Sequence, residues 1–323
     1  MKILKWLLPA LLICSEMSFA ALAPGDYEFA LTHQSLRRSY LVHVPPQAAQ
    51  GRALPLVLNF HGAGSNAEVV RVYTRMDSAA DRDGYIVVYP NGSSGFQGRF
   101  LTWNAGSCCG PAAALQVDDV GFTLAVLDDI SKRAAIDPTR VYAAGLSNGA
   151  MMAYRVAAEA SERIAAVGGV AGTMAVTKFA PRRPVPVVHI HSTQDHIARY
   201  DGSFGVPATI VDTRQFGSSV EDSLRKWLDF NGCALKPTTV ETIDGKPGSP
   251  DAGHSAIRRV YRSCREGVEV VLLQLSGAGH VWPGGVRDYM PDLLGTGTAV
   301  IDANTELWKF FSRFKREVVT GNR

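Results

Sequence analysis

The sequence predicts an α/β protein whose central sheet is mostly parallel and flanked by helices. Three observations carry that reading: a nearly continuous apolar run at residues 54–60, similar runs recurring along the chain, and helical patterns lying between several of them. A run without polar alternation suits a strand covered on both faces, and strands separated by helices suit parallel pairing.

At the N-terminus, Lys2 and Lys5 precede an apolar stretch from Trp6 to Ile13 and then Ser18-Phe19-Ala20, so residues 1–20 read as a secretory signal. The stretch is far shorter than the ~20 residues of a membrane helix, and no membrane partner is expected. Leu11-Leu12-Ile13-Cys14 also resembles a lipoprotein box, which bulky Ile13 disfavours. Residues 21–323 are expected to form one catalytic domain, exported to the periplasm or the medium and monomeric. Losing Lys2, Lys5 and Glu16 with the signal lowers the formal charge of +3 by one, and so weak a balance predicts no nucleic-acid partner.

Strands are expected at residues 40–44, 54–60, 85–89, 140–144, 164–170, 185–190 and 268–275, where β-rich apolar runs occur. Helices are expected at 119–133, ended before Asp137-Pro138, and at 150–160, 220–230 and 305–316. Gly, Pro, Ser and Asn dominate 90–116 and 236–253, which therefore read as long loops within one domain. Cys108, Cys109, Cys233 and Cys264 are an even number in an exported chain, which favours disulfides over metal ligation. Cys233 and Cys264 flank the 236–253 segment, and their pairing would clamp its ends. Cys108 and Cys109 would then be a vicinal disulfide or two free thiols.

Gly145-Leu146-Ser147-Asn148-Gly149 is a G-x-S-x-G pattern, which chance produces often enough that only its context gives it meaning. Here a strand leads into it and a helix follows at once, the strand–turn–helix that exposes a nucleophilic hydroxyl at a sheet's C-terminal edge. A serine needs a base, and in this arrangement the acid and then the histidine follow it in the chain. His33, His43 and His61 precede Ser147, while His189 and His191 lie in an apolar strand and read as packed side chains. Of His196, His254 and His280, only His280 sits in a glycine-rich loop, Ser276-Gly277-Ala278-Gly279-His280, directly after a sheet strand. Asp195 follows the 185–190 strand and is the leading acid, with the turn residue Asp201 as its rival. The oxyanion hole is expected from the backbone N–H of Asn148 and from Gly62 or Ala63 in His61-Gly62-Ala63-Gly64, the loop after the 54–60 strand. Phe96, Phe100, Trp103 and Trp282 are candidates to line an acyl cleft, and Trp103 and Trp282 are the chosen substrate-binding residues.

Six separated motifs now stand in one order: His61-Gly62-Ala63-Gly64; Trp103-Asn104 with Cys108-Cys109-Gly110; 117–122 with Asp118-Asp119; Asp137-Pro138 leading to the Ser147 elbow; 191–202; and 279–285. The set resembles the polyhydroxybutyrate-depolymerase-like esterases and the related feruloyl esterases of carbohydrate esterase family one, over residues 40–310. Ser192 departs from it, standing where the family often has glycine. The resemblance implies an α/β-hydrolase fold, no cofactor, no metal, and a triad of Ser147, Asp195 and His280. It favours Asp195 over Asp201, and it makes Asp118-Asp119 structural, capping a helix near the site, where a metal reading would otherwise tempt. The expected activity is hydrolysis of carboxylic esters through an acyl-enzyme, of the feruloyl or acetyl type on plant polysaccharide, with polyhydroxybutyrate as the alternative substrate. An acyltransferase and a non-catalytic binding protein are the rivals from other classes. The first would prefer an added sugar to water as acceptor, and the second would resist fluorophosphonate labelling.

Overall fold

Leu54–Phe60, buried at every position, is the strand around which the sheet is organised. The computed structural model describes residues 21–94, 99–203 and 218–317; the signal segment and Phe96 lie outside them. The strands are β1 (Gly25–His33), β2 (Leu36–Val44), β3 (Leu54–Phe60), β4 (Ile86–Pro90), β5 (Ile136–Leu146), β6 (Ala166–Val170), β7 (Val187–Ser192), β8 (Thr239–Asp244), β9 (Ser255–Tyr261) and β10 (Val270–Ser276). They form one sheet in the order β1-β2-β4-β3-β5-β6-β7-β10-β9-β8. From β4 across to β10 every neighbouring pair is parallel, and the pairs at both edges are antiparallel. The expected α/β-hydrolase architecture is therefore present.

The helices are α1 (Ala67–Thr74), α2 (Met76–Asp83), α3 (Gly110–Ala114), α4 (Asp119–Arg133), α5 (Asn148–Glu159), α6 (Val220–Asn231), α7 (Pro291–Leu294) and α8 (Ala303–Phe311). α4 has its predicted bounds: the Asp118 carboxylate accepts from Gly121 N, and Lys132 and Arg133 occupy the last turn. The sheet is covered on both faces. Trp103, Phe122, Tyr154 and Trp227 lie in one buried cluster, and Tyr85, Tyr142, Phe310 and Phe311 in the other.

The departures from expectation have local causes. The segment 236–253 is not all loop, since β8 lies inside it. β8 is an edge strand of sequence Thr-Val-Glu-Thr-Ile-Asp with most positions exposed, so it lacks the apolar run that marks a buried strand. β1, which alternates between partly buried and exposed residues, also lacks such a run. α8 stops at Phe311, five residues before its predicted end; the chain then extends so that Arg316 N donates to Thr139 O at 2.9 Å. Among the described residues no helix is long and apolar enough to cross a membrane.

Cys233 is bonded to Cys264, as expected, and Cys108 to Cys109. The Cys233–Cys264 bridge joins positions 31 apart in sequence and encloses β8 and β9. Replacing both cysteines by serine should lower unfolding free energy by about 3–4 kcal/mol through the regained freedom of the unfolded chain. A denaturant melt of the double variant that overlays the wild type would contradict this.

One feature of the topology positions the site. The chain passes from β3 to β4 on one side and later from β5 to β6 and β7 on the other, so β3 and β5 are neighbours where the strand order reverses. The loops leaving their C-terminal ends lie at that switch point, the position at which open α/β sheets bind ligands in a crevice.

Candidate active site

The loop after β5 and the loop after β3 meet in that crevice. Ser147 stands between the end of β5 and the first residue of α5 with φ 58° and ψ −125°, a conformation seldom adopted by a residue bearing a Cβ. The strain is held by close packing. A Cβ on Gly149 would lie 2.1 Å from Phe60 O, and one on Gly145 would lie 2.5 Å from Gly149 C, so the elbow closes only with glycine at both positions. Ser147 N donates to Val170 O at 2.9 Å, and Ser147 remains partly exposed while its neighbours are buried.

Asp195 and His280 come from the loops after β7 and β10, which end at the same sheet edge as β5 because all three strands are parallel. His280 Nδ1 lies 2.7 Å from Asp195 Oδ2, and both side chains are buried. Asp195 Oδ1 accepts from Ile197 N and Ala198 N, each at 2.9 Å. Burial by itself would raise the Asp195 carboxyl, but His280 and His191 beside it hold it well below the usual carboxylate range. An ionised Asp195 requires a proton on His280 Nδ1 and leaves Nε2 as the lone-pair nitrogen, the form a general base needs. The His280 loop is anchored by His280 N donating to Leu294 O at 2.6 Å and Gly279 N to Thr296 O at 2.9 Å. Asp201 is exposed and hydrogen-bonds to Ser203 and Arg199 in its own turn, away from His280.

The β3 loop lies directly against Ser147: a Cβ on Gly62 would stand 3.4 Å from Ser147 Cβ. Asn148, as the first residue of α5, carries one of the first-turn N–H groups that lack a carbonyl partner within the helix. Ala63 is exposed beside Gly62.

Two residues that hold this arrangement were not visible in the sequence as such. His61 is fully buried; its Nδ1–H donates to Gly62 O at 2.7 Å and its Nε2 accepts from Gly92 N at 2.9 Å, which fixes a neutral tautomer. Burial pushes this imidazole down to about 4, with the Arg38 cation adding to the effect. Trp103 is the second. Its Nε1–H donates to His61 O at 3.0 Å, its N–H donates to Asn148 Oδ1 at 2.8 Å, and its carbonyl accepts from Asn148 Nδ2 at 3.1 Å. It therefore ties the β3 loop to the start of α5. In the sequence His61 belongs to the first of the six motifs and Trp103 to the second, and neither supporting role is visible there.

That placement corrects the expectation that Trp103 and Trp282 touch substrate. Trp103 is 0% exposed and Trp282 2%, and the Trp282 indole N–H donates to Asn304 Oδ1 at 3.2 Å. Both rings are packed in the interior. Phe100, 69% exposed, lies beside Gly64, and Gly64 N donates to the next residue's carbonyl, Leu101 O, at 2.9 Å.

Asp118 and Asp119 serve structure here. Asp118 caps α4; Asp119, fully buried, pairs with Arg38 at 2.6 Å and accepts from Asn104 N at 2.7 Å. Among the described residues Asp26, His43 and Asp77 bring metal-ligand atoms within 4.8 Å of one another. Arg71 already binds both of those carboxylates, and the group lies on β1, β2 and α2, apart from the crevice.

Residues 38–220 match the family described as esterase PHB depolymerase. NocK of Nocardia uniformis subsp. tsuyamanensis, a protein named as an esterase, is 32% identical over 273 residues, covering 80% of this chain and 74% of its own. Feruloyl esterase B of Piromyces equi is 30% identical over 253 residues, covering 75% of this chain; the chain spans 42% of that relative's length. Among solved structures, acetyl xylan esterase from Aspergillus awamori superposes with a TM-score of 0.52 at 15% identity, covering 88% of this chain and 99% of its own, which speaks to the fold.

Proposed function

This chain belongs to the PHB depolymerase esterases, and on that premise we propose that it cleaves carboxylic esters with Ser147 as nucleophile, His280 as base and Asp195 as the acid that orients it. The observation that carries the assignment is the buried 2.7 Å contact between His280 Nδ1 and Asp195 Oδ2, at the sheet edge where the Ser147 elbow opens. His280 Nε2 takes the hydroxyl proton as Ser147 Oγ adds to the ester carbonyl carbon. The resulting oxyanion is received by the N–H of Asn148 and one from Gly62 or Ala63. As the carbon–oxygen bond to the alcohol breaks, His280 returns the proton to the leaving oxygen. A water molecule then repeats the sequence on the acyl-enzyme and frees the acid and Ser147. No step calls for a cofactor.

The substrate class proposed is a feruloyl or acetyl ester on plant polysaccharide. Relatives named for those activities support it, and Phe100 supplies an exposed aromatic face next to the β3 loop, suited to an aromatic acid. The family description itself favours the second reading, an aliphatic polyester such as polyhydroxybutyrate. We assign the enzyme to an exported compartment, consistent with its paired cysteines, and to a single catalytic domain acting as a monomer.

Purified enzyme tested on methyl ferulate, acetylated xylan and amorphous polyhydroxybutyrate distinguishes the readings by product release. Release of ferulate or acetate well above release from the polyester is expected. Turnover of the polyester alone would replace the first reading by the second.

A further inference from the structure

The mechanism uses Asp195 from the His280 side and leaves a buried polar chain behind it without a role. Tyr154 of α5 and His189 and His191 of β7 are 0%, 0% and 1% exposed. The Tyr154 hydroxyl lies 2.6 Å from His189 Nδ1, and His189 Nε2 lies 3.1 Å from His191 Nδ1. His191 Nε2 lies 2.7 Å from Ala198 O and 3.4 Å from Asp195 Oδ2.

The direction of every proton in this chain follows from its last member. A carbonyl oxygen only accepts, so His191 Nε2 carries hydrogen. A neutral His191 then has a bare Nδ1, which accepts from His189 Nε2–H; His189 Nδ1 is bare in turn and accepts from the Tyr154 hydroxyl. The reverse direction would require two protons on His191. It would also strand the Tyr154 proton, since among the described residues His189 is that hydroxyl's hydrogen-bond partner and no other is found. Complete burial of His189 disfavours a charged ring and agrees with the neutral assignment. The fold makes room for the chain: a Cβ on Gly169 of β6 would lie 2.7 Å from the Tyr154 ring and 2.8 Å from its hydroxyl.

We infer that Tyr154, His189 and His191 form a one-way chain of neutral donors that ends on the Ala198 carbonyl beside the catalytic carboxylate, and that His191 is a positioning residue for Asp195. The inference rests on the reading of Asp195 as the triad acid. Oδ1 is held by two backbone N–H groups and Oδ2 accepts from His280 Nδ1–H; the His191 N–H donates to the carbonyl of Ala198, the residue whose own N–H is one of the two on Oδ1, and His191 Nε2 stands 3.4 Å from Oδ2. His191 thereby holds the residue whose N–H holds the carboxylate, and its own N–H dipole stands close enough to stabilise the negative charge. The groups facing this point are His189 on the same strand, Tyr154 from α5, Asp195 and Tyr200 from the loop after β7, and His280 from the loop after β10. The Tyr200 ring packs edge-on to His191 at 5.8 Å, and its hydroxyl donates to Glu221, itself 3.6 Å from Arg259.

Removing the His191 donor leaves more negative charge on Asp195, which stabilises the His280 imidazolium. The acid limb of the kcat/KM profile should therefore move to higher pH. For His191→Leu the expected shift is about half a pH unit, with kcat/KM at its optimum reduced roughly three- to tenfold. His191→Gln, which carries an amide N–H to the same place, should return the limb towards the wild-type position. An unmoved limb in a folded His191→Leu variant, or a Gln variant that behaves like Leu, overturns the positioning role. Long-range proton–nitrogen spectra of the wild type decide the chain without any variant: His189 and His191 should both be neutral with hydrogen on Nε2. A Nδ1–H form of either ring overturns it. The spectra stand independently of activity, whereas an active Ser147→Ala enzyme would defeat the triad and leave the tautomers as they are.

Discussion

Ser147→Ala should lower kcat/KM for p-nitrophenyl acetate by roughly 10⁴- to 10⁶-fold, while thermal unfolding stays close to wild type. The effect is that large because the hydroxyl forms the covalent bond, and His280 and Asp195 have nothing to activate once it is gone. The fold should tolerate the change because alanine keeps the Cβ that already occupies this backbone conformation and the Ser147 N–H to Val170 O bond is unaffected. Loss of covalent labelling by a fluorophosphonate should accompany the loss of turnover. A variant retaining more than about a tenth of wild-type activity would place the nucleophile elsewhere.

Asp195→Asn should cost about 10⁴-fold in kcat, for a reason that can be read from the carboxylate's partners. Oδ1 receives two backbone N–H groups, from Ile197 and Ala198. An asparagine must keep its oxygen there, because an amide NH₂ would meet two donors. Its NH₂ then occupies the Oδ2 position and faces His280 Nδ1, where donor would meet donor. The imidazole escapes by moving its proton to Nε2, and the nitrogen that should accept the serine proton is no longer free. The cost is thus one of tautomer, and little change in melting temperature should accompany it. Activity within tenfold of wild type would mean that Asp195 does not set the tautomer of His280.

The proposed catalytic residues are legible because each follows a strand that the sequence marks by a largely apolar run. Once β5, β7 and β10 are read as parallel, the residues just past their ends must share an edge, and Ser147, Asp195 and His280 were expected there. The supporting contacts were not legible in the same way. Trp103 meets Asn148 across 45 positions of sequence and His61 across 42. Nothing in the local pattern around a tryptophan states how deep it lies, so the sequence fits Trp103 and Trp282 at a cleft as readily as in the packed interior where both stand. His189 and His191 were correctly expected to be packed in a strand. Their alignment towards Asp195 depends on the loop after β7 folding back to bring the Ala198 carbonyl under the ring, and alternation along a strand carries no record of that. β8 escaped notice because an edge strand with exposed side chains has no need of hydrophobic residues.

The bridge between Cys233 and Cys264 gives the β8–β9 hairpin an unusual standing towards proteases. Lys246 is exposed at the turn between those strands, and Ser147, Asp195 and His280 all lie outside the segment the bridge encloses. A cut elsewhere in that turn, away from the Lys246–Pro247 bond that trypsin-like proteases spare, would yield two polypeptides that remain one covalent molecule, with the elbow and the acid on the first piece and the base on the second. A molecule nicked there keeps Ser147, Asp195 and His280 tethered in one particle, and only a nick joined to reduction of the bridge can release them from each other.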